Sequence, residues 1–130
     1  MTTHHRLRQI LLTNATTSGL GGLAALVAAG PVDDLLGTDA PGWVRLVGAG
    51  LVAFAASVVL VARSDAPALT RDARLVSLGD ASWVLGTVAT ITLGWYSTSG
   101  VIVMAAVGAM VATFGALQWH WSATPTPVRA

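Results

Sequence analysis

Residues 101–117 read VIVMAAVGAMVATFGAL and contain no charged side chain. A second stretch, residues 47–62, reads VGAGLVAFAASVVLVA and is equally free of charge. A water-soluble helix of this length carries polar residues along one face at helical period, and neither stretch does. With their flanks, 100–121 and 43–62, both can cross the roughly 30 Å hydrocarbon core of a bilayer at about 1.5 Å per residue. Both stretches therefore predict membrane-spanning helices.

Two further segments, residues 10–29 and 76–96, are apolar over similar lengths. Composition agrees, because 54% of the 130 residues are hydrophobic and only 10% are charged. We predict an all-α membrane protein, an antiparallel bundle of four transmembrane helices that forms one domain over residues 1–130. Residues 123–130 are predicted to be a disordered tail.

The start of the chain permits a second interpretation. A basic beginning followed by an apolar run also describes a secretory signal peptide. The run here is long and begins with Thr13, Asn14, Thr16, Thr17 and Ser18, which favours an uncleaved first span. Cleavage would leave three spans.

The arginines predict the orientation of the bundle. Basic residues flank the cytoplasmic ends of membrane helices. Six of the seven arginines fall before the first span, in the second loop and in the tail, whereas the first loop carries Asp33, Asp34 and Asp39 and no basic residue. We therefore expect a multi-pass protein of the cell (cytoplasmic) membrane, the inner membrane of a bacterium, with both termini cytoplasmic (N-in/C-in).

The loops are short enough to constrain the topology. About four residues separate the third and fourth spans, which predicts antiparallel neighbours. The first loop has room for one interfacial helical turn ended by Gly37.

Small and hydroxyl residues predict which helix faces point inward, since hydrophobicity does not distinguish core from lipid. The expected core faces are Asn14, Thr17, Ser18, Gly21 and Ala25 on the first span; Arg45, Ala49, Ala53 and Ala56 on the second; Asp80, Trp83, Thr87, Thr90 and Gly94 on the third; and Met104, Gly108, Ala112, Gly115 and Trp119 on the fourth.

Asp80 is the residue of greatest interest, because a carboxylate inside a span costs a few kcal/mol and should have partners. Topology brings Asn14 of the first span and Gln118 of the fourth to a similar depth. We predict an intramembrane polar cluster of Asp80, Asn14, Thr17 and Gln118, with Trp83 one turn away as an apolar lid. One interpretation is a structural clamp, or a carboxylate that reaches water near Arg63 or Arg74. The other is a group that exchanges protons in transport or relay.

Arg45 lies near the opposite membrane face. It is expected either to form a salt bridge with Asp34 or Asp39, which would hold the first loop over the bundle, or to contact an anion or a lipid headgroup.

Other chemistry finds no support in the residues. The chain has no cysteine, no Gly-x-Ser-x-Gly motif and no histidine in the interior of a span, since His120 stands between two interfacial tryptophans. We predict no catalytic residue, no metal site and no cofactor, and no nucleic-acid partner, because no basic face is present. The expected partners are the lipid bilayer and either a partner membrane protein or a second copy in a homo-oligomer.

Several short motifs carry a family resemblance: Asn14-Ala15, Arg45-x-x-Gly48-x-Gly50 with Phe54-Ala55 and Ala62-Arg63, and Asp80-x-x-Trp83-Val84. In these the chain resembles the uncharacterised small four-transmembrane-helix integral membrane proteins of high-GC bacteria. The resemblance implies the four-span architecture and marks Asp80 as a position of interest.

Three functional classes follow. The absence of a catalytic constellation favours a non-enzymatic accessory or interaction subunit. The first alternative is a small-solute or proton-coupled transporter or channel that uses Asp80. The second is a lipid-active membrane enzyme, which would need a second catalytic group beside Asp80, supplied by His120 or Asn14.

Overall fold

The computed structural model describes residues 2–123 as an all-helical bundle. Its helices are α1 (Thr3–Val27), α2 (Ala29–Leu36), α3 (Pro41–Ala62), α4 (Ala66–Thr92) and α5 (Thr98–Ala123). All but α2 are long and apolar enough to cross a membrane, with mean hydropathies between 1.3 and 2.2. The predicted all-α membrane bundle with four spans is confirmed. Beyond Ala123, the predicted disordered tail lies outside the described residues.

Capping residues make two helices begin before the apolar segments predicted from the sequence. The Thr2 hydroxyl accepts a hydrogen bond from the His5 amide, so α1 begins seven residues before the predicted span. The Asp65 carboxylate accepts from the Ala68 amide at 3.3 Å, and Pro67 follows in the first turn of α4. Hydropathy marks the segment that crosses lipid, whereas side-chain caps determine where a helix starts.

The spans pack chiefly as two pairs, α1 with α3 and α4 with α5. Gly22 and Gly48 form the closest point of the first pair. A Cβ atom on Gly22 would lie 2.8 Å from the Gly48 carbonyl oxygen, and one on Gly48 would lie 2.8 Å from the Gly22 carbonyl oxygen. The two backbones therefore touch, as membrane helices do where small residues meet.

The core face predicted for the second span is wrong. Arg45, Ala49, Ala53 and Ala56 are exposed on the outside of the bundle. The buried face of α3 is Val44, Gly48, Ala55, Val58 and Ala62. This rotation places Gly48 against Gly22 and Ala25 of α1, where a larger residue would not fit. On α5, the predicted Ala112 and Trp119 are likewise exposed, whereas Val111 and Gln118 are buried.

The end of the bundle that carries the α4–α5 connection, which we term the hairpin end, is closed by α2. Gly37 ends α2 in the left-handed conformation at φ 69°, as the sequence predicts. The Ser97 amide donates to the Leu36 carbonyl at 3.0 Å, and the Ser99 hydroxyl donates to the Leu35 carbonyl at 2.9 Å. Gly100 packs directly on the Leu36 carbonyl. These contacts attach α2 to the start of α5.

Asp33, rather than Arg45, holds the first loop. Its buried carboxylate accepts hydrogen bonds from the Thr38 hydroxyl and from the Ala40 amide, the latter at 3.2 Å. Arg45 is exposed and forms no salt bridge with Asp34 or Asp39 within residues 2–123. A carboxylate inside the loop can accept two loop donors at once, so no arginine is needed.

The opposite end, the termini end, collects arginines that satisfy helix C-termini. Arg8 donates to the carbonyls of Ala62 at 3.1 Å and Ser64 at 3.0 Å. Arg74 donates to the Ser122 carbonyl at 3.4 Å and lies over the Trp119 ring. The residues that predict the orientation thus also pair with carbonyl groups that lack a partner in the last helical turn.

A dry apolar core fills the bundle just inside the termini end. It contains Leu7, Leu11 and Ala15 of α1, Val58 and Ala62 of α3, and Leu69, Ala73 and Val76 of α4. Leu11, Val58 and Leu69 are fully buried. This core separates the polar residues in the middle of the bundle from the termini end.

Candidate functional site

Three polar side chains from three helices meet in the interior of the bundle. Asn14 of α1 and Gln118 of α5 are 0% exposed, and Asp80 of α4 is 3% exposed. Asn14 Nδ2 donates to Asp80 Oδ2 at 3.0 Å and to Gln118 Oε1 at 2.9 Å, and Gln118 Nε2 donates to Asp80 Oδ2 at 2.6 Å. We term these residues the polar triad.

The hydrogen bonds of the triad run in one direction. Ser18 Oγ donates to Asn14 Oδ1 at 3.1 Å, which leaves the Asn14 amide nitrogen to donate onward. The side-chain amide nitrogens of Asn14 and Gln118 both donate to Asp80 Oδ2, while Asp80 Oδ1 accepts no hydrogen bond within the described chain. Both amides are thus satisfied, and the carboxylate keeps one oxygen available to a further partner.

Local sequence explains why these groups reach one depth. Asn14 and Ser18 are four residues apart and so lie on the same face of α1. Gly115 of α5 lies against Asp80, and a Cβ atom there would be 3.2 Å from the Asp80 Cβ. The glycine therefore allows α5 to approach closely enough for Gln118 to reach the carboxylate.

Two other predicted members of the cluster have different positions. The Thr17 hydroxyl donates to the backbone carbonyls of Thr13 and Asn14, both at 3.0 Å, rather than to Asp80. The indole Nε1 of Trp83 is buried and has no hydrogen-bond partner within residues 2–123. The prediction of Trp83 as an apolar lid overlooks this N–H group, which needs an acceptor.

Thr17 and Trp83 instead line a cavity of about 430 Å³ that also contacts Asp80. All four spans contribute walls: Thr17, Ser18 and Gly21 from α1; Val47, Gly50, Leu51 and Phe54 from α3; Gly79, Asp80 and Trp83 from α4; and Val107, Met110 and Val111 from α5. Asp80 is the charged residue in this lining, and most of the remaining surface is apolar. A second cavity of about 550 Å³ lies between α4 and α5 and also reaches Asp80.

Glycines create part of the space, and the sequence did not indicate this. Glycine runs predict close packing, yet nothing lies within 4 Å of a Cβ atom placed on Gly21 or Gly50. Both glycines line the first cavity and are exposed, so the cavity reaches the surface of the bundle. A glycine beside a polar residue has no side chain to fill the neighbouring space, and this is the sequence feature that could have indicated the cavity.

The remaining candidate residues lie elsewhere. Arg45 is exposed near the hairpin end and does not line either cavity. His120 packs edge-on to Trp121, with ring centroids 5.1 Å apart. Arg63 and Arg74 form no hydrogen bond or ion pair with Asp80 within the described residues. No group of His, Cys, Asp or Glu with metal-binding geometry occurs in residues 2–123.

Comparison of the chain with protein-family models, with curated proteins and with solved structures finds no match. Its class therefore follows from its fold and interior alone. Four apolar helices of membrane-spanning length, with a polar triad buried among them, indicate a small integral membrane protein that contacts the lipid bilayer.

Proposed function

We propose that this protein binds a small amphiphilic solute within the membrane and moves it across, with Asp80 as the polar anchor of the binding site. The observation that carries the proposal is the cavity of about 430 Å³ that Asp80 lines. Small-molecule sites are typically about 300–1,000 Å³, mostly apolar, and oriented by a few polar groups. This cavity has both properties.

A purely structural clamp accounts for less of the geometry. It explains the two amide donors on Asp80 Oδ2. It does not explain the vacant hydrogen-bonding capacity of Oδ1 or the buried indole N–H of Trp83, both of which belong to residues of the cavity wall. A ligand in the cavity would supply a partner for Asp80 Oδ1 and would lie beside the Trp83 side chain.

Movement across the membrane would require the apolar core at the termini end to open. That core closes the bundle beside the polar triad. The spans already form two tightly packed pairs, and α3 contacts α4 far less than it contacts α1. Separation of the α1–α3 pair from the α4–α5 pair would open the core and keep the packing within each pair, and it would break the hydrogen bonds of Asn14 to Asp80 and Gln118. The proposal includes the predicted placement in the cytoplasmic membrane with both termini inside, and membership in the four-span group of high-GC bacteria.

Two adjacent threonines provide the test. Thr16 and Thr17 both donate to a backbone carbonyl four residues back, but Thr17 lines the cavity whereas Thr16 is exposed on the outside of the bundle. The chain has no cysteine, so Thr17→Cys and Thr16→Cys each introduce a single thiol. Reaction requires the thiolate, which forms in a hydrated cavity and not in lipid.

In nanodiscs treated with methyl methanethiosulfonate, Thr17→Cys should therefore react about tenfold faster or more than Thr16→Cys, as measured by intact mass. Equal, slow reaction of both thiols would mean that the cavity is closed to solutes, and the proposed function would be wrong.

A second candidate function is an accessory or interaction subunit. It is favoured by the exposed face of α3, where Ala49, Ala53 and Ser57 follow one another at intervals of four residues on the outside of the bundle. Small residues at this spacing allow membrane helices to associate. The fold itself does not use this face, so a partner membrane protein or a second copy could pack there.

This candidate predicts a contact between copies that a cysteine can detect. Under oxidising conditions in liposomes, Ala53→Cys should form a disulfide-linked dimer, whereas Leu85→Cys, on the exposed face of α4, should not. Similar yields from both variants would indicate random collision and would remove the support for self-association.

The enzyme hypothesis gains no support from the geometry. Within the described chain, the Asp80 side chain is bonded only to two neutral amides. Acid–base catalysis on a lipid would need a second titrating group within hydrogen-bond reach.

A further inference from the structure

We infer that the solute is an organic cation, an ammonium group carried on an apolar body, which places its charge at Asp80 and its apolar part against Trp83 and Phe54. The inference rests on the proposed function and adds the chemical class of the ligand.

Charge is the first argument. Asp80 is the charged residue among the thirteen that line the cavity, and within residues 2–123 it has no ion-pair partner. The amides of Asn14 and Gln118 solvate one oxygen but carry no compensating charge. A buried carboxylate costs several kcal/mol unless a cation accompanies it. A cationic ligand at Oδ1 would supply the missing charge, whereas an anionic ligand would be repelled.

The second argument is the aromatic lining. Trp83 of α4 and Phe54 of α3 are both wall residues of the cavity, and Phe54 lies over Gly79, with a ring carbon 3.2 Å from a Cβ atom placed there. Ammonium groups bind the faces of aromatic rings, and tryptophan binds them most strongly. A carboxylate and a tryptophan one turn apart on α4 therefore form a suitable site for an ammonium group.

The third argument distinguishes an organic cation from a metal ion. The hydroxyl groups of the cavity lining belong to Ser18 and Thr17, which donate to Asn14 and to backbone carbonyls rather than to Asp80. A metal ion would need several oxygen ligands, and no metal-binding group of residues occurs in the described part of the chain. The cavity is also about fourteen times the roughly 30 Å³ that one water occupies in the liquid. Its remaining walls, Val47, Leu51, Val107 and Met110, suit a hydrocarbon body.

A matched pair of probes tests the inference. Benzyltrimethylammonium and neopentylbenzene have the same shape, and only the first carries a charge. Isothermal titration of the full-length protein in nanodiscs should show saturable binding of benzyltrimethylammonium, and binding of neopentylbenzene weaker by about tenfold or more. Asp80→Asn keeps the shape of the side chain and should remove this preference.

A second pair of variants keeps the test valid if Asp80→Asn does not fold. Thr17→Phe places a ring in the cavity without removing a partner from the polar triad, and Thr16→Phe places the same ring outside. The first should abolish binding of benzyltrimethylammonium and the second should leave it unchanged.

The outcomes separate this inference from the proposed function. Equal binding of the two probes, blocked by Thr17→Phe and insensitive to Asp80→Asn, would overturn the cation assignment and leave a solute cavity in place. Failure of both probes to bind, together with an unreactive Thr17→Cys thiol, would overturn the inference and the proposed function together.

Discussion

Substitution of Gly48 by valine is expected to lower the free energy of unfolding by about 3 kcal/mol or more, because it overpacks the closest contact in the bundle. A Cβ atom at this position lies 2.8 Å from both the Gly22 carbonyl oxygen and the Ala25 Cβ atom. Neither obstacle is a flexible side-chain tip that can move aside. The backbones of α1 and α3 must therefore separate, and the contacts along that pair weaken together.

Gly50→Val is the matched control for this prediction. Gly50 lies two residues further along α3, and nothing lies within 4 Å of a Cβ atom there. Valine should be neutral or slightly stabilising at that position, since glycine is the poorer helix former. Denaturation by sodium dodecyl sulfate in mixed micelles, followed by circular dichroism, measures both variants. Equal destabilisation by the two substitutions would contradict the backbone contact of Gly22 and Gly48.

Asn14→Leu is expected to have the second largest effect, a loss of about 2 kcal/mol. The Asn14 amide joins α1 to both α4 and α5, because its nitrogen donates to Asp80 and to Gln118. Leucine leaves Asp80 Oδ2 with one donor and Gln118 Oε1 with none. Ser18→Ala removes only the bond at the edge of the triad and should cost about 0.6 kcal/mol, the average for hydrogen bonds between membrane helices.

A double-mutant cycle shows whether this loss comes from the triad. Asp80→Leu in the Asn14→Leu background removes an acceptor that has already lost one of its two donors. The double variant should therefore be about 1 kcal/mol or more stable than the sum of the single effects implies. The same denaturation assay applies, and strictly additive effects would show that the two residues do not interact.

The sequence predicts the polar triad because depth and topology leave few alternatives. Once alternate spans run in opposite directions, Asn14, Asp80 and Gln118 come to one level, and polar groups at one level inside a membrane pair with one another. The structure brings all three within hydrogen-bond distance. Their role in binding a solute is a proposal that this geometry supports.

Neighbouring glycines show why the cavity and the buried faces of the helices could not be predicted from the sequence. Gly22 and Gly48 bring two backbones together, whereas Gly21 and Gly50, adjacent or two residues away, border open space. Successive residues on an α-helix point about 100° apart, so the role of a glycine depends on the rotation of its helix. That rotation results from the packing of the whole bundle. The sequence places the exposed face of α3 in the core for the same reason. Alanine stripes occur on both sides of this helix, so they do not show which side is buried.

The contacts that hold the first loop at the hairpin end differ from the predicted salt bridge for a similar reason. Three aspartates lie in the first loop, and opposite charge favours a salt bridge with the nearest arginine, Arg45. The structure instead buries Asp33, which accepts from Thr38 and Ala40 of its own loop. Local hydrogen bonds depend on backbone geometry that residue charge does not determine.

The indole resonance of Trp83 reports directly on whether a solute occupies the cavity beside Asp80. Trp83 lines the cavity, and its N–H group is buried and lacks a partner in the described chain. In a ¹⁵N–¹H correlation spectrum of the wild-type protein in nanodiscs, the chain's five tryptophans give separate indole signals, and Trp83→Phe identifies the one of interest. Titration with benzyltrimethylammonium should move the Trp83 signal saturably and leave those of Trp43 and Trp95 in place. A Trp83 signal that stays fixed, or that moves only as much as the other four, would contradict the account.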